Sequence, residues 1–362
     1  MAAASITKGI PVRVAGGAAL GAIAWVVLHR SLGAVGGTVA GLAIGAAAAR
    51  WFPRFVLRRF LWTVPLFLLL IFVAVQLMFL APGDPFAGEK NASPAVREEQ
   101  LKHFGVLDRS FAGGAVFFWK YTKGLVTDGY MGPSLTVQGA RVEDVLLPAL
   151  PVSLTLGLMA LVLAVMLGVA LGIRSGLRPG SAADGFGMAF AMIGISLPSF
   201  VIGAFLAVVF AVKLRWLPVA GWGTFGHVVL PAVTLALPYA AYIARLARGG
   251  TIEVMTQDFV RTARAKGLSE GTVIGKHAFR GAIPPVVSYL GPAAAGLMTG
   301  SFVVEQVFGI PGMGQYFVKG AQNRDYYIVL GTMLLYSGIV ILFNLLVDLA
   351  YAWIDPRVRS ES

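Results

Sequence analysis

Six long runs of the chain contain no Asp, Glu, Lys, Arg or His: Phe60–Gly83, Leu146–Ile173, Phe186–Val212, Val228–Ala244, Gly281–Val304 and Ile328–Val347. A helix needs about 20 predominantly apolar residues to cross the hydrocarbon of a bilayer. Lipid offers no partner to backbone amides, so runs of this kind cross as helices that satisfy their own hydrogen bonds. They predict an all-α integral membrane protein. Composition agrees, since 57% of the 362 residues are hydrophobic and 13% are charged, against about 25% charged in a soluble domain.

Upstream, Val14–Leu28 and Ser31–Ala49 are apolar runs rich in Ala and Gly, residues that favour close helix contact. They read as a hairpin turning at His29 and Arg30, which brings the expected spans to eight. A cleaved signal sequence is the rival reading, with Lys8 and Arg13 as its basic region and Ala46–Ala48 at its cleavage site. The segment is longer than a usual signal, and a strongly basic stretch follows it.

Lys and Arg outnumber Asp and Glu by 29 to 17, a net charge of +12. Short basic loops stay on the cytoplasmic side. Arg50, Arg54, Arg58 and Arg59, then Arg174 and Arg178, then the segment from Arg245 to Arg280, and finally Arg357 and Arg359 fall at alternate ends of the spans. Both termini are therefore expected in the cytoplasm, and the stretch 84–144 outside. That stretch should hold a helix from Pro94 to Phe104 capped by Ser93, within a small lid-like region. Scattered between apolar runs, the basic residues do not form a nucleic-acid site. With no cysteine in the chain, disulfides, thiolate metal sites and a Cys nucleophile are excluded.

The most informative loop is residues 251–285. Ile252, Met255, Phe259 and Ala263 recur at helical spacing and predict one apolar face. Gly267 should end that helix with Lys266 at its negative pole, and Ser269 should cap a second short helix carrying Val273, Ile274 and His277. Pro284 and Pro285 are expected to open the next span. A helix, glycine turn, helix unit of this kind suits docking into a groove on a soluble partner. The alternative is a basic loop resting on anionic headgroups.

The run Arg261-Thr262-Ala263-Arg264-Ala265-Lys266-Gly267 resembles the cytoplasmic loop motif of binding-protein-dependent ABC importer permeases, in the dipeptide, oligopeptide and nickel branch. Further matches follow in order along the chain. They are Ala81-Pro82-Gly83-Asp84-Pro85, Ser196-Leu197-Pro198-Ser199-Phe200, Trp216-Leu217-Pro218, the run Glu305–Gly314 and Asp355-Pro356-Arg357. The resemblance covers residues 55–359. It implies the type I ABC importer transmembrane fold with six core helices, here preceded by the extra hairpin and basic linker of residues 1–54. The permease domain would include the outer region 84–144 and the coupling loop 248–283, with 360–362 as a tail. Arg261, Thr262, Ala263, Arg264, Ala265, Lys266, Gly267, Ser269 and Glu270 would contact an ATP-hydrolysing subunit. The superfamily motif begins Glu-Ala-Ala, so no acidic contact carries over to Arg261. Implied partners are a second homologous permease, two ATP-binding subunits and an extracytoplasmic substrate-binding protein. The chain itself would bind no cofactor, and its partners would use ATP. Localisation would be the bacterial or archaeal cytoplasmic membrane. The cargo would be di- or oligopeptides, alternatively nickel chelates or sugars.

Few polar residues lie inside the spans. Pro198, Ser199, Tyr239, Tyr242, Ser288, Tyr289 and Asn344 are candidates for a translocation path or gate, where hydroxyls and amides could bond a peptide. They could equally bond neighbouring helices. The histidines His29, His103, His227 and His277 lie in separate loops, and no metal set assembles from them. The segment 307–314 is glycine-rich but lacks the Gly-Lys-Ser/Thr ending of a phosphate loop, and it reads as the turn of a re-entrant segment. Spans without ionisable residues argue against a proton- or sodium-driven carrier. They also leave a membrane-embedded enzyme without an acid-base pair. A non-catalytic permease subunit is the expected function.

Overall fold

A computed structural model of the chain describes residues 54–81, 108–137, 139–299 and 301–354. Every regular element among the described residues is helical. In order these are α1 (Arg54–Leu80), α2 (Phe111–Asp128), α3 (Val142–Leu177), α4 (Ala182–Ser196), α5 (Ser199–Leu206), α6 (Phe225–Met255), α7 (Asp258–Ala265), α8 (Glu270–Thr272), α9 (Phe279–Thr299), α10 (Ser301–Val307), α11 (Met313–Gln322) and α12 (Tyr326–Ile354). A π-helical segment, Ala207–Lys213, extends α5, and another, Val273–Ala278, joins α8 to α9. The expected N-terminal hairpin, the Pro94–Phe104 helix and the tail 360–362 lie outside the described residues.

Among the described residues, five helical stretches are long and apolar enough to cross a membrane, within α1, α3, α6, α9–α10 and α12. The third run, Phe186–Val212, is not one straight span. It divides at Leu197 and Pro198 into α4 and the α5 segment, whose axes differ by 110°. The cause is local. A residue before proline is pushed out of the helical region and proline has no N–H to donate; Leu197 is accordingly extended (φ −87°, ψ 132°).

The chain separates into two units, Met1–Leu147 with Lys319–Ser337 and Arg357–Ser362, and Pro148–Val318 with Gly338–Pro356. In the first, α2 lies on α1. Helical spacing does not predict this helix, because FAGGAVFFWKYTKGLVTD mixes glycine and aromatics. Ser110 caps its start by accepting from Gly113 N, and Gly129 closes it in the left-handed conformation. Gly114 allows the helix to approach Gln76, where a Cβ would sit 2.7 Å from the amide oxygen. Phe79, Phe117, Tyr121 and Tyr326 bury the aromatic interior of this unit. Asp325, fully buried, ties the segment 134–136 to the start of α12. Its Oδ2 accepts from Ser134 Oγ at 2.7 Å, Leu135 N at 2.8 Å and Thr136 N at 3.0 Å, while Oδ1 caps Ile328 N at 3.1 Å.

In the second unit the core is made of small and branched residues, among them Leu156, Ala160 and Ala164 of α3, Ala236, Ala240 and Ile243 of α6, and Ala282, Val286 and Leu297 of α9. Alanine at these crossings lets backbones approach closely, the packing that membrane helices rely on where lipid competes with every apolar contact. Pro284 and Pro285 lie in the first turn of the apolar stretch Ala282–Val307, as expected, but no break precedes them, because helical structure is already continuous from Glu270 through the wide π turn Val273–Ala278, with Phe279 N donating to Ile274 O.

Candidate functional site

The loop beyond α6 folds as a compact unit built by local rules. α7 ends in two hydrogen bonds that identify a Schellman motif: Leu268 N donates to Ala263 O at 3.3 Å, and Gly267 N to Arg264 O at 2.9 Å. The motif needs a left-handed residue, and Gly267 supplies φ +75°. Ser269 then accepts from Thr272 N and caps the short helix α8. Across the turn the Arg264 guanidinium grips the Glu270 carboxylate with both oxygens engaged.

The residues expected to form the dock are brought together. Thr262 donates to Asp258 O, Arg261 faces Asp258 at 3.5 Å, and Lys266 occupies the C-cap of α7. Ala263 is buried with Val260 and Val273, against Val254 and Met255. One expectation fails. Ile252, Met255, Phe259 and Ala263 do not share one helix face, because Thr256 and Gln257 interrupt the helix between α6 and α7. Phe259 is 50% exposed and Leu268 43%. These two large apolar side chains on an otherwise charged projection were missed as surface residues. The usable signal was Asp258, an acidic first-turn residue that starts a new helix.

Of the candidate path residues, Ser199, Tyr239, Tyr242 and Tyr289 line one cavity of about 410 Å³, with Ile195, Leu197, Leu235, Pro238 and Gly296. The tyrosine rings of 242 and 289 lie 4.3 Å apart, and the Arg245 guanidinium sits 5.3 Å from the Tyr242 ring centre. The Tyr239 hydroxyl rests where Gly296 has no side chain, and a Cβ there would collide with it. Pro198 stands beside the cavity as the N-cap of α5. Ser288 and Asn344 are not among the lining residues. Ser288 is exposed and donates to Pro284 O of its own helix, and Asn344 packs towards Gly291. Thr155, Ser196, Thr234 and Thr299 likewise donate to the carbonyl four residues back, which uses their hydroxyls within the helix.

The glycine-rich turn after α10 is held by a carboxylate that the sequence reading left without a role. Glu305 is fully buried, accepting from Ser301 Oγ at 2.8 Å and from Gly314 N at 2.7 Å. Met313 N donates to Ser153 Oγ at 2.9 Å. Gly314 is required by close approach, since a Cβ there would lie 2.5 Å from Phe302 Cβ and 2.7 Å from Glu305 Oε2.

Residues 164–360 match the family described as binding-protein-dependent transport system inner membrane component. The oligopeptide transport system permease protein OppB of Haemophilus influenzae is 42% identical over 308 residues, covering 84% of this chain and 99% of the relative. The chain belongs to this family of ABC importer permeases. The dipeptide transport system permease protein DppB of Bacillus subtilis is 41% identical over 306 residues, covering 84% of this chain and 98% of that protein. Among solved structures, an inward-facing MetNI methionine ABC transporter covers 59% of this chain and 97% of the solved chain at 18% identity, with a TM-score of 0.47. On the family match and the apolar helices, the expected all-helical permease architecture stands, as does a multi-pass inner membrane component that works with a binding protein and an ATPase.

Proposed function

We propose that this permease conducts di- or oligopeptides across a bacterial or archaeal cytoplasmic membrane, paired with a second homologous permease, two ATP-hydrolysing subunits and an extracytoplasmic binding protein. The observation that carries the reading is the match over nearly the full length of relatives named as oligopeptide and dipeptide permeases. The chain binds no cofactor, and ATP is consumed by the partner subunits.

Residues 258–270 dock on the ATPase. The rigid turn at Gly267 and the exposed Phe259 and Leu268 support this, because an apolar anchor on a preshaped projection is what a cleft on a soluble partner can hold. The basic loops and both termini face the cytoplasm, which the placement of Lys and Arg supports. Alternating access then follows as a two-state rocking of the spans, biased from inside by ATP and from outside by the loaded binding protein. The cavity lined by Tyr239, Tyr242 and Tyr289 lies on the path. Its lining carries no charged side chain, which suits transient passage better than tight binding.

The test is reconstitution of the four kinds of subunit in proteoliposomes. Uptake of labelled peptides should require ATP and the loaded binding protein, and a Lys266→Cys variant should crosslink to the ATPase subunit. Uptake by this chain without an ATPase would refute the reading.

A further inference from the structure

α6 runs without interruption from Phe225 to Met255, and Thr256 and Gln257 alone separate it from α7. That turn is hydrogen-bonded throughout, with Thr256 N donating to Glu253 O, Gln257 N to Val254 O and Val260 N to Gln257 O. Val254 and Met255 at the end of α6 pack on Val260, Ala263 and Val273. A displacement of α7 is therefore handed to α6 through packed side chains, which transmit strain because the packing is dense.

Below that junction α6 is seated on α3. Gly168, Gly172 and Gly176 recur every four residues and so share one helix face. A Cβ at Gly168 would lie 2.7 Å from Ala240 O, one at Gly172 would collide with Ala244 O, and one at Gly176 would lie 2.9 Å from Arg248 O. The two backbones meet along this seam, which leaves α6 little room to slide or rotate against α3.

The same end of α6 grips a third helix. Arg248 donates from Nε to Asp184 Oδ1 at 2.7 Å and from Nη2 to Oδ2 at 2.8 Å. Asp184 is 4% exposed and sits in the first turn of α4, where its Oδ2 also accepts from Gly180 N at 2.9 Å. A fork-to-fork pair of this kind fixes orientation as well as distance. From Asp184, α4 leads directly to the break at Leu197 and Pro198, and Ile195, Leu197 and Ser199 line the cavity.

We infer that Asp184 and Arg248 are positioning residues for transport: their ion pair stays closed through the cycle and delivers movement of the coupling loop, by way of α6, to the broken span at the cavity. The inference rests on reading residues 258–270 as the ATPase dock.

The chain has no cysteine, so a D184C/R248C pair can be bridged by a short bifunctional thiol reagent, using the complete importer with cysteine-free partners. The readout is peptide taken up per ATP hydrolysed. Asp184→Asn and the unbridged cysteine pair should lower that ratio about tenfold, a typical coupling factor, with basal ATP hydrolysis and complex assembly within about twofold of the parent. Arg248→Lys keeps the charge without the fork and should fall between. Bridging the cysteines should restore the ratio. Loss of uptake on bridging would show that the pair must open, and would overturn the inference. An unchanged ratio in Asp184→Asn, with uptake falling only as assembly falls, would reduce the pair to a stabilising contact and also overturn it. A separate Lys266→Cys variant, labelled with a thiol-reactive photocrosslinker and assembled with the same cysteine-free partners, tests the dock independently. If that crosslink forms and the ratio does not change, the ion-pair inference alone fails.

Discussion

Arg264 reaches across the glycine turn to Glu270, with Nε 2.8 Å from Oε1 and Nη2 3.3 Å from Oε2. Both side chains are well exposed, so the pair adds about 0–1 kcal/mol to stability. Its effect lies in holding the two short helices at one angle. Glu270→Ala should leave thermal stability in detergent nearly unchanged, while stimulation of ATP hydrolysis by the loaded binding protein drops. Equal loss of stability and stimulation would argue against this role.

Gly267 occupies a left-handed backbone position with nothing within 4 Å of an added Cβ. Space is therefore no obstacle to a side chain there, and backbone strain is. Gly267→Val should cost about 1–3 kcal/mol locally and uncouple hydrolysis from uptake without preventing membrane insertion. Gly267→Asn, which tolerates this conformation, should retain most transport. The comparison of the two variants in the same uptake assay separates conformation from bulk.

Phe259 projects from the start of α7 half exposed. If it anchors the ATPase, Phe259→Ala should weaken association of the isolated ATPase subunit with the permease about tenfold, close to 1.4 kcal/mol. Titration of fluorescent ATPase onto permease nanodiscs measures this directly. An unaltered affinity would move the anchor elsewhere on the loop.

Glu305 satisfies Ser301 Oγ and Gly314 N at a fully buried site. Glu305→Ala leaves those donors unpaired, at about 1–3 kcal/mol each, and should lower the unfolding temperature markedly. Glu305→Gln keeps an acceptor for Gly314 N and should be milder. A reversal of that order, read from thermal unfolding in detergent, would mean that the carboxylate does not organise the turn.

Much of the loop 251–285 was legible because its signals are local. Gly267 marks a left-handed turn, Ser269 marks a cap, and Ala263 falls on the buried side of α7. Phe259 was misjudged because helical spacing was carried through Thr256 and Gln257, where the helix stops. Among the path candidates, sequence alone could not sort the span hydroxyls. Ser288 bonds its own helix whereas Tyr239, Tyr242 and Tyr289 share a cavity, and that choice depends on which faces of α6 and α9 meet.

The same division holds for the fold. The apolar runs by themselves determined an all-helical membrane chain and placed five of its spans among the described residues, because partition of about 20 residues between water and lipid is a property of the segment alone. Pro198 and Leu197 break the helix by local backbone rules, while the 110° angle between the two pieces was not legible in the sequence. Tertiary structure alone decided the partners of the buried carboxylates. Arg248 meets Asp184 from 64 positions away and Ser134 meets Asp325 from 191. A buried charge must be paired where it lies, and which donor reaches it is set by which helices stand side by side.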